Sequence, residues 1–555
     1  MRLPQPTHLN YSALTADIER GRIKIPQFQR DFVWSVERSA KLLDSVVKGY
    51  PIGTMIFWAT RDRLRSVKNI GGIDLPAPIE GEVVKYVLDG QQRLTSLFAA
   101  LKGLTVVRAS GTNDEFSAIY LDLAASEDQQ IVVTDLAGRD AALCIQLRDL
   151  LGGSLKKLAS YPEHTHAKLD EYKRRIEAYD FAIVEVQDVP IDVATEIFTR
   201  LNVGGQALSL FEIMVAKTYD EASQFDLAER FEELVGRLQT IDYETVSAAT
   251  LLQLVSLLLK KDCKRQTVLN LAKREFIDTW PRAADAIERA AEYLRNTYRI
   301  PVSKLLPYSA LLVPFGYFFF HHKDKPAVEQ KKELEDFFWR CSLAGRYSSS
   351  VESKLAQDVQ RIDDILGGKS PEYDWAVDLS PSFLLKNGWF STNRSFVKAL
   401  LCLYAYHEPK SFSDGAAVRI SNDWLKQANS RNYHHFFPRA YLARKGIDEA
   451  EANNVLNITI VDDYLNKRRI KDKPPSAYMQ EFRNENVALA ATMATHLIVD
   501  MSAFGVWTDE YSLFLQKRAD AVSEELSKRV IPRESDAQGQ AFRNDDVEED
   551  TTSLE

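Results

Sequence analysis

Tyr86-Val87-Leu88-Asp89-Gly90-Gln91-Gln92-Arg93-Leu94 is the stretch that decides the fold of the first part of the chain. The apolar run 86–88 predicts a short strand, and the periodic residues over about 94–101 predict a helix. A strand, a turn and a helix in immediate succession suit an anion. Gly90 lets the chain reverse sharply, and the helix start offers backbone N–H groups and the positive end of a dipole. Arg93 can fork onto phosphate oxygens, and Asp89 can hold a metal ion or a ribose hydroxyl. The competing reading is an N-capping Asp89 beside solvent-exposed Gln and Arg side chains.

Upstream, Ser35 has the character of an N-cap, and Val36, Ala40, Leu43 and Val47 fall on one helical face that Gly49 and Pro51 end. Met55-Ile56-Phe57-Trp58 reads as a buried strand, and residues 181–186 as another. This alternation, running to about residue 215, is a mixed α/β or α+β pattern. From about 211 to 400 the pattern turns helical, with apolar periodicity over 250–259, 284–298, 305–321 and 328–341. No internal repeat of solenoid period is present. Residues 395–530 mix helices with one short compact motif. After Arg533 the chain is acidic, poor in apolar residues and expected to be disordered.

The 555 residues, 45% hydrophobic and 27% charged, suffice for two or three soluble domains. A formal net charge of −9 argues at first against a nucleic-acid partner, but residues 534–555 hold eight acidic side chains and one Arg. The rest of the chain is near neutral and can carry a local basic face, so DNA stays open as a partner. Cys144, Cys263, Cys341 and Cys402 are too scattered for a zinc site, and buried thiols fit a reducing cytoplasm. Met1-Arg2-Leu3-Pro4-Gln5-Pro6 has no apolar signal-peptide core. The most apolar stretch, 305–320, contains Pro307 and Pro314 and falls short of a bilayer span, so it is expected as a buried helix with no membrane partner.

Two further clusters accompany the strand–turn–helix. Ile25-Pro26-Gln27-Phe28-Gln29-Arg30-Asp31-Phe32-Val33-Trp34 interleaves apolar groups with Gln and Arg, which suits either a pocket wall or a core anchor with a surface Arg. Phe198-Thr199-Arg200-Leu201-Asn202-Val203-Gly204-Gly205 reads as a helix end with a glycine cap. In this order the three clusters resemble the N-terminal domain of GmrSD-type restriction proteins, a domain similar to the ParB and sulfiredoxin fold, over roughly residues 10–220. The resemblance implies binding and hydrolysis of a nucleoside triphosphate (ATP, GTP or CTP) at the Gly90-Gln91-Gln92-Arg93 turn. It makes Gln29, Arg30, Asp89, Gln92 and Arg93 the main candidates, and Arg200 and Asn202 secondary ones.

Near the C-terminus stand Tyr433-His434-His435-Phe436-Phe437-Pro438, then Asn457-Ile458-Thr459, then Asn466-Lys467-Arg468-Arg469. Phosphodiester hydrolysis needs a base to activate water and a cation to neutralise the leaving oxygen. Singly, a His pair is a packed or surface pair and Asn457 a turn residue. In this order and spacing they resemble the HNH, or ββα-metal, nuclease motif, in the variant found C-terminally in GmrSD-type proteins, over about 395–485. The resemblance makes His435 the general base, His434 and Asn466 the metal ligands, and Asn457 the residue that holds the base ring or the motif loop. It implies a divalent ion, Mg²⁺ or Mn²⁺. His434, standing where a carboxylate is usual, also admits a softer ion such as Mn²⁺, Ni²⁺ or Zn²⁺. Residues 423–473 carry a net charge of +3, and Lys467, Arg468, Arg469, Lys471 and Lys473 form a cluster suited to DNA phosphates.

The expected fold class is α+β. A ParB-like N-terminal α/β domain (1–220) precedes an all-helical middle region (221–394), a C-terminal helical domain with the ββα-metal motif (395–530) and a disordered acidic tail (531–555). The expected function is a nucleotide-regulated, divalent-metal-dependent DNA endonuclease that restricts foreign or phage DNA and senses its modification. A homodimer and companion defence proteins are the further partners expected. A non-catalytic nucleotide-dependent DNA-binding regulator and a toxin-like RNase are the rival readings.

Overall fold

The computed structural model describes residues 3–538 except 27, 30, 65–69, 71–74, 78, 80, 109–111, 202–207, 221, 423–432 and 462–468. Helix and sheet are mixed, in keeping with an α+β class, and the chain divides into two compact units, Met1–Asp226 and Leu227–Glu555.

The first unit is built on a five-stranded sheet. Its elements are β1 (Gln5–Leu9), α1 (Tyr11–Glu19), β2 (Ile23–Lys24), α2 (Val36–Val47), β3 (Met55–Thr60), β4 (Val84–Asp89), α3 (Gln91–Lys102) and, much later, the strand Phe181–Gln187. The spatial order is β1, Phe181–Gln187, β3, β4, β2. Phe181–Gln187 runs antiparallel to β1 and parallel to β3, while β4 is antiparallel to β3 and parallel to β2. Side chains alternate across a strand, so one face and then the other is read off the register. Phe57 pairs with Val87 and both join the core that α2 and α3 cover. Trp58 pairs with Tyr86 on the opposite face, their rings 5.8 Å apart, with the Trp58 indole donating to Val189 O at 3.1 Å. Small side chains let α2 and α3 approach closely: the Ser39 and Ser96 hydroxyls meet at 2.8 Å.

Most expected elements are present, and the differences have local causes. Ser35 does cap α2, its hydroxyl accepting from Arg38 N at 3.3 Å. The helix expected from residue 94 starts at Gln91, because Gly90 itself is the N-cap at φ 91°. The Gln91-Gln92-Arg93 segment is therefore the first turn of α3 rather than a loop ahead of it. The single helix expected over 305–321 is broken. Short turns at Ser303–Leu305 and Ser309–Leu311 precede a helix at Leu312–His321. Pro307 cannot donate within a helix, whereas Pro314 sits in the first turn, where backbone N–H groups have no intrahelical partner. No helix among the described residues is long and apolar enough to cross a membrane, and all four cysteines are free and buried.

The second unit joins what the sequence divides into a helical middle region and a C-terminal domain. The Tyr308 hydroxyl bonds Ser395 Oγ at 2.7 Å, and Asn422 Nδ2 donates to Asp242 O and Glu244 Oε1, both at 2.8 Å. The segment expected to be disordered from residue 531 is anchored at its start. Glu534–Gln538 is helical, and Asp536 accepts from both terminal nitrogens of Arg340, at 2.8 and 2.6 Å. Arg340 is fully buried and also donates to Asp336 and Ile531 O. A buried guanidinium needs all its donors met, and this segment supplies three of the acceptors. Composition alone misses this, since one well-placed carboxylate anchors an otherwise polar stretch.

Candidate functional sites

The first cluster and the strand–turn–helix come together at the start of α3. Gln29, Trp34, Asp89, Gly90, Gln91, Gln92 and Arg93 line a cleft of about 110 Å³. Phe28 packs edge-on against Phe198 at 5.2 Å, tying the first cluster to the third. Gln29 Nε2 donates to Val87 O at 2.8 Å and Leu88 O at 2.9 Å, gripping the end of β4. Gln92 Oε1 accepts from Val33 N at 2.8 Å and Trp34 N at 3.3 Å, while its Nε2 donates to Asp31 O at 2.9 Å. Both Gln side chains are thus girders between the cluster and the strand–helix junction. Gly90 offers no side-chain cap, so the anion-attracting start of α3 opens into the cleft.

Arg93, on the cleft lining, is also bonded to the protein framework. Its guanidinium donates to Ile52 O and Thr54 O, each at 2.9 Å, and to Asp89 Oδ2 at 3.0 Å. Room for it comes from two glycines at positive φ. A Cβ on Gly53 would lie 2.4 Å from Arg93 Nη1, and one on Gly90 would strike Met55 Cγ at 2.7 Å. Arg93 contributes positive charge to the cleft and holds its rim together. Arg200, by contrast, is exposed, pairs with Glu196 at 2.5 Å and is absent from the cleft lining. Arg30 and Asn202 lie outside the described residues. Arg93→Ala is expected to cost about 1–3 kcal/mol of stability, because its charged hydrogen bonds to the Ile52 and Thr54 carbonyls and to Asp89 are lost. Thermal melting checks this, and an unchanged melting temperature contradicts the framework role.

In the second unit, Tyr433–His435 pairs antiparallel with Ile458–Ile460, His434 opposite Thr459 and His435 opposite Ile458. These strands form a two-stranded sheet. Asn466, Lys467 and Arg468 lie outside the described residues. The two imidazoles have different partners. His435 Nε2 donates to Asn453 Oδ1 at 3.0 Å, and Asn453 Nδ2 in turn donates to Phe390 O at 3.1 Å, which fixes the amide's orientation. That bond places the proton on Nε2 and leaves the lone pair on Nδ1. Burial, with Arg439 acting in the same direction against the Asn453 bond, pushes the His435 pKa down to about 4, so the ring is neutral at pH 7.

Asn457 holds the motif loop rather than the ring. It is fully buried, its Oδ1 accepts from Phe437 N at 2.8 Å, and its Nδ2 donates to Phe437 O and Ala452 O at 3.0 and 3.1 Å. His434 points into the interior among Phe412, Tyr478 and Thr459. Its Nδ1 meets Thr459 Oγ1 at 3.3 Å, and its Nε2 is buried without a hydrogen-bond partner among the described residues. Burial pushes its pKa down to about 3, so the orphaned nitrogen belongs to a neutral ring, the form that ligates metal. A lone imidazole nitrogen suits Mn²⁺, Ni²⁺ or Zn²⁺ better than Mg²⁺. Among the described residues no group of three or more His, Cys, Asp or Glu is placed to complete such a site. In the basic cluster, Arg469 pairs with Glu485 at 2.7 Å and Lys473 with Glu481 at 2.6 Å, while Lys471 is exposed. Such surface pairs are weak and can exchange a carboxylate for a phosphate.

Residues 11–219 match the family described as GmrSD restriction endonuclease, N-terminal domain. The GmrSD-type domain thus spans nearly the whole first unit and contains every residue of the cleft. A relative, the uncharacterized protein MJ0686 of Methanocaldococcus jannaschii, is 24% identical over 565 residues, covering 91% of this chain and 92% of its own length. The similarity to that protein therefore runs through both units.

Two residues at these sites have no clear mark in the sequence. Arg108 donates to Phe32 O and Trp34 O, each at 2.5 Å, and so fixes the cleft wall of the GmrSD-type domain from a distant strand end. Asn453 orients His435, and its only signal is its place in Asn453-Asn454-Val455-Leu456-Asn457, beside the Asn that the motif singles out.

Proposed function

We propose that this chain is a restriction-type DNA endonuclease in which the GmrSD-type domain binds and hydrolyses a nucleoside triphosphate and thereby governs an HNH-type nuclease site at His435. The match over residues 11–219 carries the restriction reading. The neutral His435 ring, steered by Asn453 so that Nδ1 keeps its lone pair, supports the nuclease site. His435 Nδ1 takes the proton from the attacking water, and Asn457 keeps the following loop in register. His434 and Asn466 would hold a divalent ion, which supplies charge to offset the leaving oxygen when bound. Lys467, Arg468, Arg469, Lys471 and Lys473 position the DNA backbone. The substrate is foreign or phage DNA, read through its modification, with ATP, GTP or CTP as the regulating nucleotide and a homodimer or companion defence proteins as further partners.

The experiment is a side-by-side digestion of plasmid, modified phage DNA and total RNA, with Mg²⁺, Mn²⁺, Ni²⁺ or EDTA present. Divalent-ion-dependent cleavage of DNA supports the proposal. Cleavage of RNA alone selects the toxin-like RNase, and DNA binding without cleavage under every metal selects the non-catalytic regulator.

A further inference from the structure

The cleft at the start of α3 is far smaller than a nucleotide. Pockets that enclose ligands of that size are about 300–1,000 Å³, against about 110 Å³ here. Only part of a nucleotide can enter, and the remainder must lie on the rim. The rim carries one aromatic side chain that also lines the cleft, Trp34. Its backbone is clamped at both ends, N–H to Gln92 Oε1 and carbonyl to Arg108 Nη2. The indole is half-buried, and the exposed Arg38 guanidinium lies 4.2 Å from its ring centroid with no ion pair among the described residues. Such a pair presents a flat, cationic, preorganised surface, and both indole and guanidinium planes stack nucleobases.

A second observation comes from beneath the cleft. Thr95 is 1% exposed, and its hydroxyl has no hydrogen-bond partner among the described residues. Thr95 does not itself line the cleft; it sits one helical turn behind Gln91, which does.

We infer that the Trp34–Arg38 pair is the platform on which the base of the nucleoside triphosphate stacks, while its phosphates enter the cleft at the start of α3. This rests on the nucleotide reading of the same site. A stacked base explains how so small a cleft retains a whole nucleotide. It also makes binding tolerant of base identity, since every base has a π-face.

The test measures binding of ATP, GTP, CTP and inorganic tripolyphosphate to the full chain by calorimetry, for the wild type, Trp34→Ala, Trp34→Phe and Arg38→Ala. Trp34→Ala is expected to weaken nucleotide binding about 10-fold or more and to leave tripolyphosphate binding unchanged, with Trp34→Phe restoring much of the loss. Arg38→Ala alters only an exposed side chain, so it keeps the test valid if the Trp34 variants fold poorly, and it should show a smaller loss of the same kind. Nucleotide binding unaltered by Trp34→Ala and Arg38→Ala, or weakened equally with tripolyphosphate, overturns the platform alone. A wild type that binds neither nucleotides nor tripolyphosphate overturns the platform together with the nucleotide reading beneath it.

Discussion

His435→Ala is expected to lower DNA cleavage by about 10²–10⁴-fold while leaving the fold and triphosphate hydrolysis intact. Three observations combine in this expectation. His435 lies at the end of a strand whose pairing with Ile458–Ile460 is made by backbone groups, so alanine does not remove the sheet. Its only described hydrogen bond, to Asn453, orients the ring rather than supporting the core. Its base form is the one present at neutral pH, because burial holds the pKa near 4. The measurement is single-turnover cleavage of supercoiled DNA beside a nucleotide hydrolysis assay and a thermal melt. Full cleavage by a well-folded variant removes the nuclease from this site.

The largest effect on stability is expected at the other end of the unit. Asp536→Ala, or a chain ended at Arg533, should cost about 3 kcal/mol, in the range for breaking a buried ion pair. Arg340 is fully buried, and without Asp536 two of its nitrogens lose their carboxylate, leaving Asp336 to serve both Arg340 and Arg533. The Val377 N–H loses its acceptor too. A chain ended at Gln538 keeps the whole network and should melt with the full-length protein. A melting temperature several degrees lower for the Arg533 truncation alone supports this anchoring, and equal melting of both truncations contradicts it.

How far the sequence reaches is clearest at α3. The alternation of apolar residues locates β3, β4 and the strand Phe181–Gln187, because central strands bury both faces and leave a dense apolar record. Of the candidate residues, Gln29, Asp89, Gly90, Gln91, Gln92 and Arg93 line one cleft, whereas Arg200 does not. What the sequence does not disclose is who bonds to whom. Gln29 and Gln92 resemble ligand groups, yet their amides are spent on backbone carbonyls and N–H groups at positions more than 50 residues distant. Arg93 resembles a phosphate fork, yet it meets the carbonyls of Ile52 and Thr54. Hydrogen bonds of this range leave no periodicity to read. The same limit hides Arg340, whose burial depends on a carboxylate 196 positions away. At the two-stranded pairing the sequence leaves Asn457 between the base ring and the loop, and its amide bonds Phe437 and Ala452. It gives no sign that Asn453 selects the His435 tautomer.

The most direct test of a nucleotide-governed, metal-dependent endonuclease is one titration. The intact chain is incubated with modified and unmodified phage DNA, with and without Mn²⁺ or Mg²⁺, while ATP, GTP or CTP is varied. The account predicts cleavage that requires the divalent ion, prefers the modified DNA and changes in rate with at least one nucleotide. Cleavage that proceeds equally in EDTA and without regard to any nucleotide, or no cleavage under any of these conditions, would contradict it.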